Sequence, residues 1–274
     1  MTTASAHFRV DGLAAGYPGR RVIDGLDLDI APGRLTVIIG ANASGKSTLL
    51  STLARLRAPL AGRVTLDGDD IAGMPRRSLA QSVGLLPQHP IAPDGVTVAE
   101  LVSRGRHPHR GALGRWRSDD ARVVADAMVQ TGVADLADRP VDDLSGGQRQ
   151  RVWIAMALAQ QPRALLLDEP TSFLDLAHQI DVLELLRRIN RTEGTTVVAV
   201  LHELALAARY ADDLVVMADG AVIAHGAPGD VLTPATVAAA FGLDAVVIPD
   251  PVTGSPLVIP RTHADSAPAV PSLP

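Results

Sequence analysis

Three stretches of the chain are apolar without interruption: "LTVIIG" (35–40), "ALLLD" (164–168) and "TVVAVLH" (196–202). A strand with one wet face alternates apolar and polar residues, whereas a parallel strand covered by helices on both faces does not. The three runs therefore predict buried parallel strands, and with them an α/β architecture. Between the last two lies "LDLAHQIDVLELLRRINR", in which Leu176, Ile180, Leu183 and Leu186 recur at helical spacing. That stripe predicts a crossover helix lying on the sheet.

Other stretches follow different rules. "HFRVDGLAAGYPGRRVIDGLDLDI" has short alternating runs broken by turn glycines, and "GRVTLDGDDI" repeats the pattern. An N-terminal antiparallel β subdomain is expected there. From about Ile91 to Gln161 the helical patterns "VAELVSRG" and "DDARVVADAMVQTGVADLA" follow one another with no buried strand between them. This predicts a helical insertion into the α/β core. "VVIPDPVTGSPLVIP" reads as a hairpin, and the polar, proline-rich residues 263–274 are expected to form a disordered tail behind a single domain of residues 1–262.

With 274 residues, 47% of them hydrophobic, the chain can hold one large domain with an inserted subdomain. Its longest apolar runs fall far short of the roughly 20 residues that a membrane-spanning helix needs. The start "MTTASAHFRVDG" has no basic segment followed by an apolar one, so no secretory signal is expected. The absence of cysteine excludes disulfide frameworks and thiol chemistry. A formal charge of −5 argues against general nucleic-acid affinity.

The first apolar run opens into Gly40, Ala41, Asn42, Ala43, Ser44, Gly45, Lys46 and Ser47, which match G-x-x-x-x-G-K-[ST] between a buried strand and a helix, with Thr48 following as a further phosphate-loop residue. Small residues let backbone N–H groups wrap a phosphate, and the helix N-terminus adds unpaired donors and a favourable dipole. Lys46 supplies positive charge for the terminal phosphates, and Ser47 offers a hydroxyl to Mg²⁺. Asp168 and Glu169 stand at the end of the second run, on the sheet edge that holds ligands in open α/β folds. Asp168 suits Mg²⁺; Glu169 suits polarising an attacking water.

"LSGGQRQR" (144–151) is a second small-residue helix entrance, built on Ser145, Gly146, Gly147 and Gln148. Ahead of the apolar "VWIAMALAQ", with Val152, Met156 and Ala159 as an expected buried face, it resembles the signature motif of ABC-type ATPases. The resemblance runs in family order from Val10 to Pro260. It implies a P-loop NTPase (RecA-like) core carrying the antiparallel β subdomain and the helical insertion. It further implies that two copies face head to tail, each signature closing over ATP held by the other's phosphate loop. Gln88 in "LLPQ" matches the glutamine that contacts Mg²⁺ or the attacking water. Asp175 in "TSFLD" matches the loop crossing the dimer interface, His202 the histidine on the γ-phosphate, and Tyr17 the aromatic on which adenine stacks. Ala41 stands where many relatives have Pro, and Glu203 where Asp is common.

"VTVAELVSRGRHPHRG", "TSFLDLAHQIDVLELL" and "AFGLDAVVIPDPVTGSPLVIP" are similar to the ATP-binding subunits of type II importers. That likeness points to iron-siderophore import first, with cobalamin, haem or another solute, or a non-transport ABC ATPase, as alternatives. It implies integral-membrane permease partners, an external substrate-binding protein, and a peripheral place on the cytoplasmic face of the cell membrane. No direct nucleic-acid partner is expected. The basic stretch with Arg104, Arg106, Arg110, Arg115, Trp116 and Arg117 fits a solvated face or a surface near anionic headgroups. No coiled coil separates the motifs, and the only asparagines, Asn42 and Asn190, do not form a guanine-reading N-K-x-D element.

Overall fold

The computed structural model describes residues 7–110 and 117–261. Strands β1 (Phe8–Tyr17) and β2 (Arg20–Ile30) pair antiparallel across a tight turn. Then come β3 (Leu35–Gly40), helix α1 (Lys46–Leu53), β4 (Ala61–Leu66) and the short β5 (Asp69–Asp70). The antiparallel sheet has the order β2-β1-β4-β5. Strands β2, β4 and the first half of β1 alternate buried and more exposed residues, the pattern of strands with one face on the core, while Leu13 to Gly16 of β1 are buried on both faces.

Helix α2 (Arg76–Ser82) leads into β6 (Val83–Leu86). Between β6 and β7 (Ala164–Asp168) the elements of the described residues are helical: α3 (Val98–Ser103), a 3₁₀ segment Arg104–His109, α4 (Asp120–Gln130), two further 3₁₀ turns and α5 (Gly146–Ala159). Arg106 joins these pieces. Its Nε donates to Asp120 Oδ1 at 2.8 Å and its Nη1 to the Ala159 carbonyl at 2.7 Å, with both charged side chains buried. Arg115 and Trp116 lie outside the described residues, as does the expected tail at 263–274.

Helix α6 (Leu176–Glu193), β8 (Thr196–Val200), α7 (Leu204–Tyr210), β9 (Asp213–Ala218) and β10 (Ala221–Gly226) complete the second sheet. Its order is β10-β9-β3-β8-β7-β6, parallel except for the β9–β10 hairpin. Short helices α8 (Pro228–Val231) and α9 (Pro234–Phe241) precede the hairpin of β11 (Ala245–Pro249) and β12 (Pro256–Pro260), which packs on α7 and α9.

The central sheet separates two cores. Along β3, Val37 and Ile39 enter one and Ile38 the other; Leu165 and Leu167 on β7 oppose Leu166 in the same way. Burial on both faces is the reason these strands read as unbroken apolar runs.

The three apolar runs form buried parallel strands β3, β7 and β8 as expected, and β6, β9 and β10 extend the sheet beyond them; β10 is only half-buried, and β6 is four residues long with Gly84 inside. Two expectations are corrected. On α6, Leu176 is 63% exposed and burial starts at Val182, because the first turn emerges from the loop carrying Asp175 and runs clear of the core. On α5, Met156 is only half-buried while Trp153, Ile154, Ala155, Ala157 and Leu158 are buried along with Val152 and Ala159. Packed by α3, α4, α6 and β6, α5 is covered nearly all round rather than along one stripe.

Candidate active site

The phosphate loop leaves β3 at Gly40, whose φ of 154° and close approach to Met217 exclude a side chain: a Cβ would sit 2.2 Å from the Met217 carbonyl oxygen. Ala43 and Gly45 are both left-handed, with φ of 63° and 104°, so the backbone curls before α1 begins at Lys46. Lys46 is buried, and its Nζ donates to the carbonyls of Gly40 at 2.9 Å and Ala41 at 2.8 Å. Burial pulls its pKa below the usual lysine range, against the opposing pull of Glu169 and Asp168. Ser44 Oγ is buried without a hydrogen-bond partner, an orphan that a phosphate oxygen would satisfy.

Beside the loop, Ser47 Oγ donates to Asp168 Oδ1 at 3.0 Å, which brings two hard oxygen donors together. Burial raises the Asp168 carboxyl above its ordinary value, with the Ser47 bond working the other way. Glu169 follows in a left-handed conformation, φ 53°, a strain of about 1 kcal/mol for a residue with a Cβ. That twist aims its carboxylate at three donors. His202 Nε2 lies 2.6 Å from Oε1, while Gln88 Nε2 at 2.6 Å and Ser172 Oγ at 2.8 Å donate to Oε2. Burial alone would raise this carboxyl; the bonds from His202, Ser172 and Gln88 override it and hold Glu169 below the usual range.

A cavity of about 240 Å³ joins the loop from Asn42 to Thr48 with Tyr17, Arg20, Glu169 and His202, while Gly40, Ala41, Gln88 and Asp168 are not among its lining residues. Ser145, Gly146, Gly147, Gln148 and Asp175 do not line it. They form a second group of their own. Ser145 and Gln148 cap α5 reciprocally, each side chain bonded to the other's backbone N–H. Asp175 caps α6 and holds His178 Nδ1 at 2.7 Å, and the His178 ring presses on Gly147 so closely that a Cβ there would lie 2.3 Å from it. Elsewhere, His109 bonds the Gln160 carbonyl at 2.7 Å, and no cluster of metal-ligating side chains occurs among the described residues.

A phosphate loop, a buried lysine, two strand-end carboxylates and a separate glycine-rich helix cap make up one constellation, and residues 23–172 match the family model described as ABC transporter. The chain belongs to the ABC transporter family. Over 90% of its length, this ABC ATPase is 51% identical to the achromobactin transport ATP-binding protein CbrD of Dickeya dadantii (strain 3937), covering 92% of that relative. It is 48% identical to the ferric enterobactin transport ATP-binding protein FepC of Escherichia coli (strain K12), over 97% of its own length and 99% of the relative's. Among solved structures, an inward-facing conformation of an ABC transporter of metal-chelate type is 28% identical, with a TM-score of 0.82 over 95% of this chain and 99% of that one. The α/β core with an antiparallel β subdomain is the fold of these cassettes.

In the ABC ATPase, several residues at or beside the cavity escape motif reading, Arg20 and Val22 on β2 among them. Ser172 sits inside "TSFLD", where a serine in a turn carries no signal of its bond to Glu169. Arg57 stacks on Tyr17 from a loop distant in sequence, and nothing local announces the contact.

Proposed function

We propose that the chain is the ATP-binding and ATP-hydrolysing subunit of an importer, energising a membrane permease that carries iron-siderophore complexes across the cytoplasmic membrane. The ATPase reading is carried by one observation. Glu169 lines one cavity with the phosphate loop and its buried lysine, and its carboxylate is held there by His202, Gln88 and Ser172. A carboxylate so placed orients a water toward a terminal phosphate and takes its proton as the new P–O bond forms.

In this reading Tyr17 stacks on adenine, and the backbone from Gly40 to Thr48 wraps the phosphates. Lys46 exchanges its bonds to the Gly40 and Ala41 carbonyls for the β- and γ-phosphates. Glu169 orients and deprotonates the attacking water, while Gln88 and His202 hold that carboxylate and meet the γ-phosphate side of the pocket. Ser47, Asp168 and Gln88 would hold Mg²⁺, which neutralises charge on the phosphate oxygens when bound. Ser145, Gly146, Gly147, Gln148 and Asp175, lying off the cavity, serve the nucleotide of a second copy in a head-to-tail homodimer. Residues 1–262 act as one ATPase domain, with about 91–161 as its helical insertion.

The cargo and partners rest on likeness. CbrD and FepC are named for achromobactin and ferric enterobactin transport, and each is matched over nearly its whole length. No helix among the described residues is long and apolar enough to cross a membrane. Integral-membrane permease subunits are the partners in this reading. An external binding protein and a peripheral position on the cytoplasmic face complete the assembly.

The test traps Glu169→Gln with ATP in solubilised membranes and identifies what co-purifies. Hydrolysis should fall about 10²- to 10⁴-fold with ATP binding retained, and a polytopic permease of the siderophore type should be recovered. Soluble proteins or nucleic acid without a permease would overturn the transport reading. An unchanged hydrolysis rate would overturn the role of Glu169.

A further inference from the structure

Tyr17 is half exposed and lines two hollows. One is the cavity of the phosphate loop, which Arg57 does not line. The other lies between the β1–β2 turn and the segment after α1, and there Arg57 stacks on the ring with its guanidinium carbon 3.9 Å from the ring centroid.

Arg57 is fixed in that position. Its Nη1 donates to the Gly16 carbonyl at 2.6 Å, and its backbone N–H to the Ser51 carbonyl at 3.1 Å, on α1. Gly16 closes the turn so tightly that a Cβ would sit 2.2 Å from the Arg20 carbonyl oxygen. Arg57 Nε is buried without a hydrogen-bond partner, and the guanidinium meets the Tyr17 ring as well as the Gly16 carbonyl. Helix α1 thus begins at Lys46, in the phosphate loop, and just beyond its far end carries the cation that backs Tyr17.

An exposed tyrosine ordinarily samples several rotamers; a planar cation on one face removes that freedom. The same cation draws π density toward itself, so the opposite face grows less negative and stacks more favourably on an electron-rich purine.

We propose that Arg57 is a positioning residue for the nucleobase, holding Tyr17 in its stacking orientation and polarising the free face toward the purine ring. The proposal rests on Tyr17 being the adenine platform, and the test separates the two.

Full-length wild type, Tyr17→Ala, Arg57→Ala, Arg57→Lys and the double alanine variant are titrated calorimetrically with ATP and with inorganic tripolyphosphate, both with Mg²⁺. Tripolyphosphate uses the phosphate loop and has no base to stack. Tyr17→Ala and Arg57→Ala should each weaken ATP by about three- to tenfold and leave tripolyphosphate unaltered. The double variant should bind ATP no more weakly than Tyr17→Ala, and Arg57→Lys, which keeps the charge but not the plane, should recover part of the loss. If Tyr17→Ala weakens ATP and Arg57→Ala does not, the clamp is wrong and the platform stands. An unaltered Tyr17→Ala would overturn both. Equal weakening of ATP and tripolyphosphate by Arg57→Ala would reduce its role to general packing and overturn the proposal.

Discussion

Glu169 carries two demands that pull apart: it must be ionised, and it must sit where the chain is sheltered. Burial opposes ionisation; three partners restore it, and of these Ser172 belongs to the same turn as Glu169. Ser172→Ala should therefore loosen the carboxylate without emptying the phosphate loop. Losing one such bond is worth about 1 kcal/mol, so the maximal hydrolysis rate should fall about fivefold while ATP affinity stays near wild type. Steady-state phosphate release together with equilibrium binding checks both halves, and Ser172→Thr should restore the rate. Most of this site was legible in the sequence because each group sits in a short motif that follows a buried strand: Lys46 in the loop after "LTVIIG", Glu169 after "ALLLD", His202 after "TVVAVL". Ser172 and Arg57 were not, since their roles arise from contacts made through space.

The helical insertion shows what an element needs when it has no sheet to lie on. The 3₁₀ segment Arg104–His109, α4 and α5 meet at the Arg106–Asp120 pair, whose charges are both buried. Removing one partner strands the other, which typically costs about 3–5 kcal/mol. Asp120→Ala should therefore lower the denaturant midpoint markedly, read by chemical unfolding at neutral pH. Burial pushes the Asp120 carboxyl up, but the Arg117 backbone N–H and Arg106 side-chain bonds together hold it below its ordinary value. A depressed carboxylate contributes in full above the ordinary range, and the contribution is lost as pH falls through and below it. The gap between wild type and Asp120→Ala should accordingly close on acidification. The sequence showed Arg106 as one more member of a basic run, because a run of arginines looks the same whether solvated or buried. The β9–β10 hairpin was missed for another reason. Its Asp219-Gly220 turn, with φ of 47° and 79°, has the chemistry of a tight hairpin, but the half-buried β10 shows no strong apolar pattern to draw the eye.

At the scale of the molecule, that same turn joins three parts. A Cβ on Gly220 would lie 1.9 Å from the Val22 carbonyl oxygen, so the hairpin of the central sheet rests directly on β2 of the antiparallel sheet. The Gly220 N–H donates to the Ser44 carbonyl at 3.1 Å, reaching the phosphate loop. Gly220→Ala should thus lower the melting temperature and weaken ATP binding together, whereas a change felt only by the sheets would spare the nucleotide; a thermal melt and a binding titration on one preparation distinguish these outcomes. The α/β class and the antiparallel subdomain were readable from alternation or its absence, but how the two sheets touch depends on a glycine whose neighbour lies far away along the chain. The Gly220 amide is also a gauge built into the protein. Its N–H is bonded to the loop that wraps the phosphates, so the pace at which its proton trades for deuterium records how firmly that contact is held, without an attached probe and without waiting for turnover.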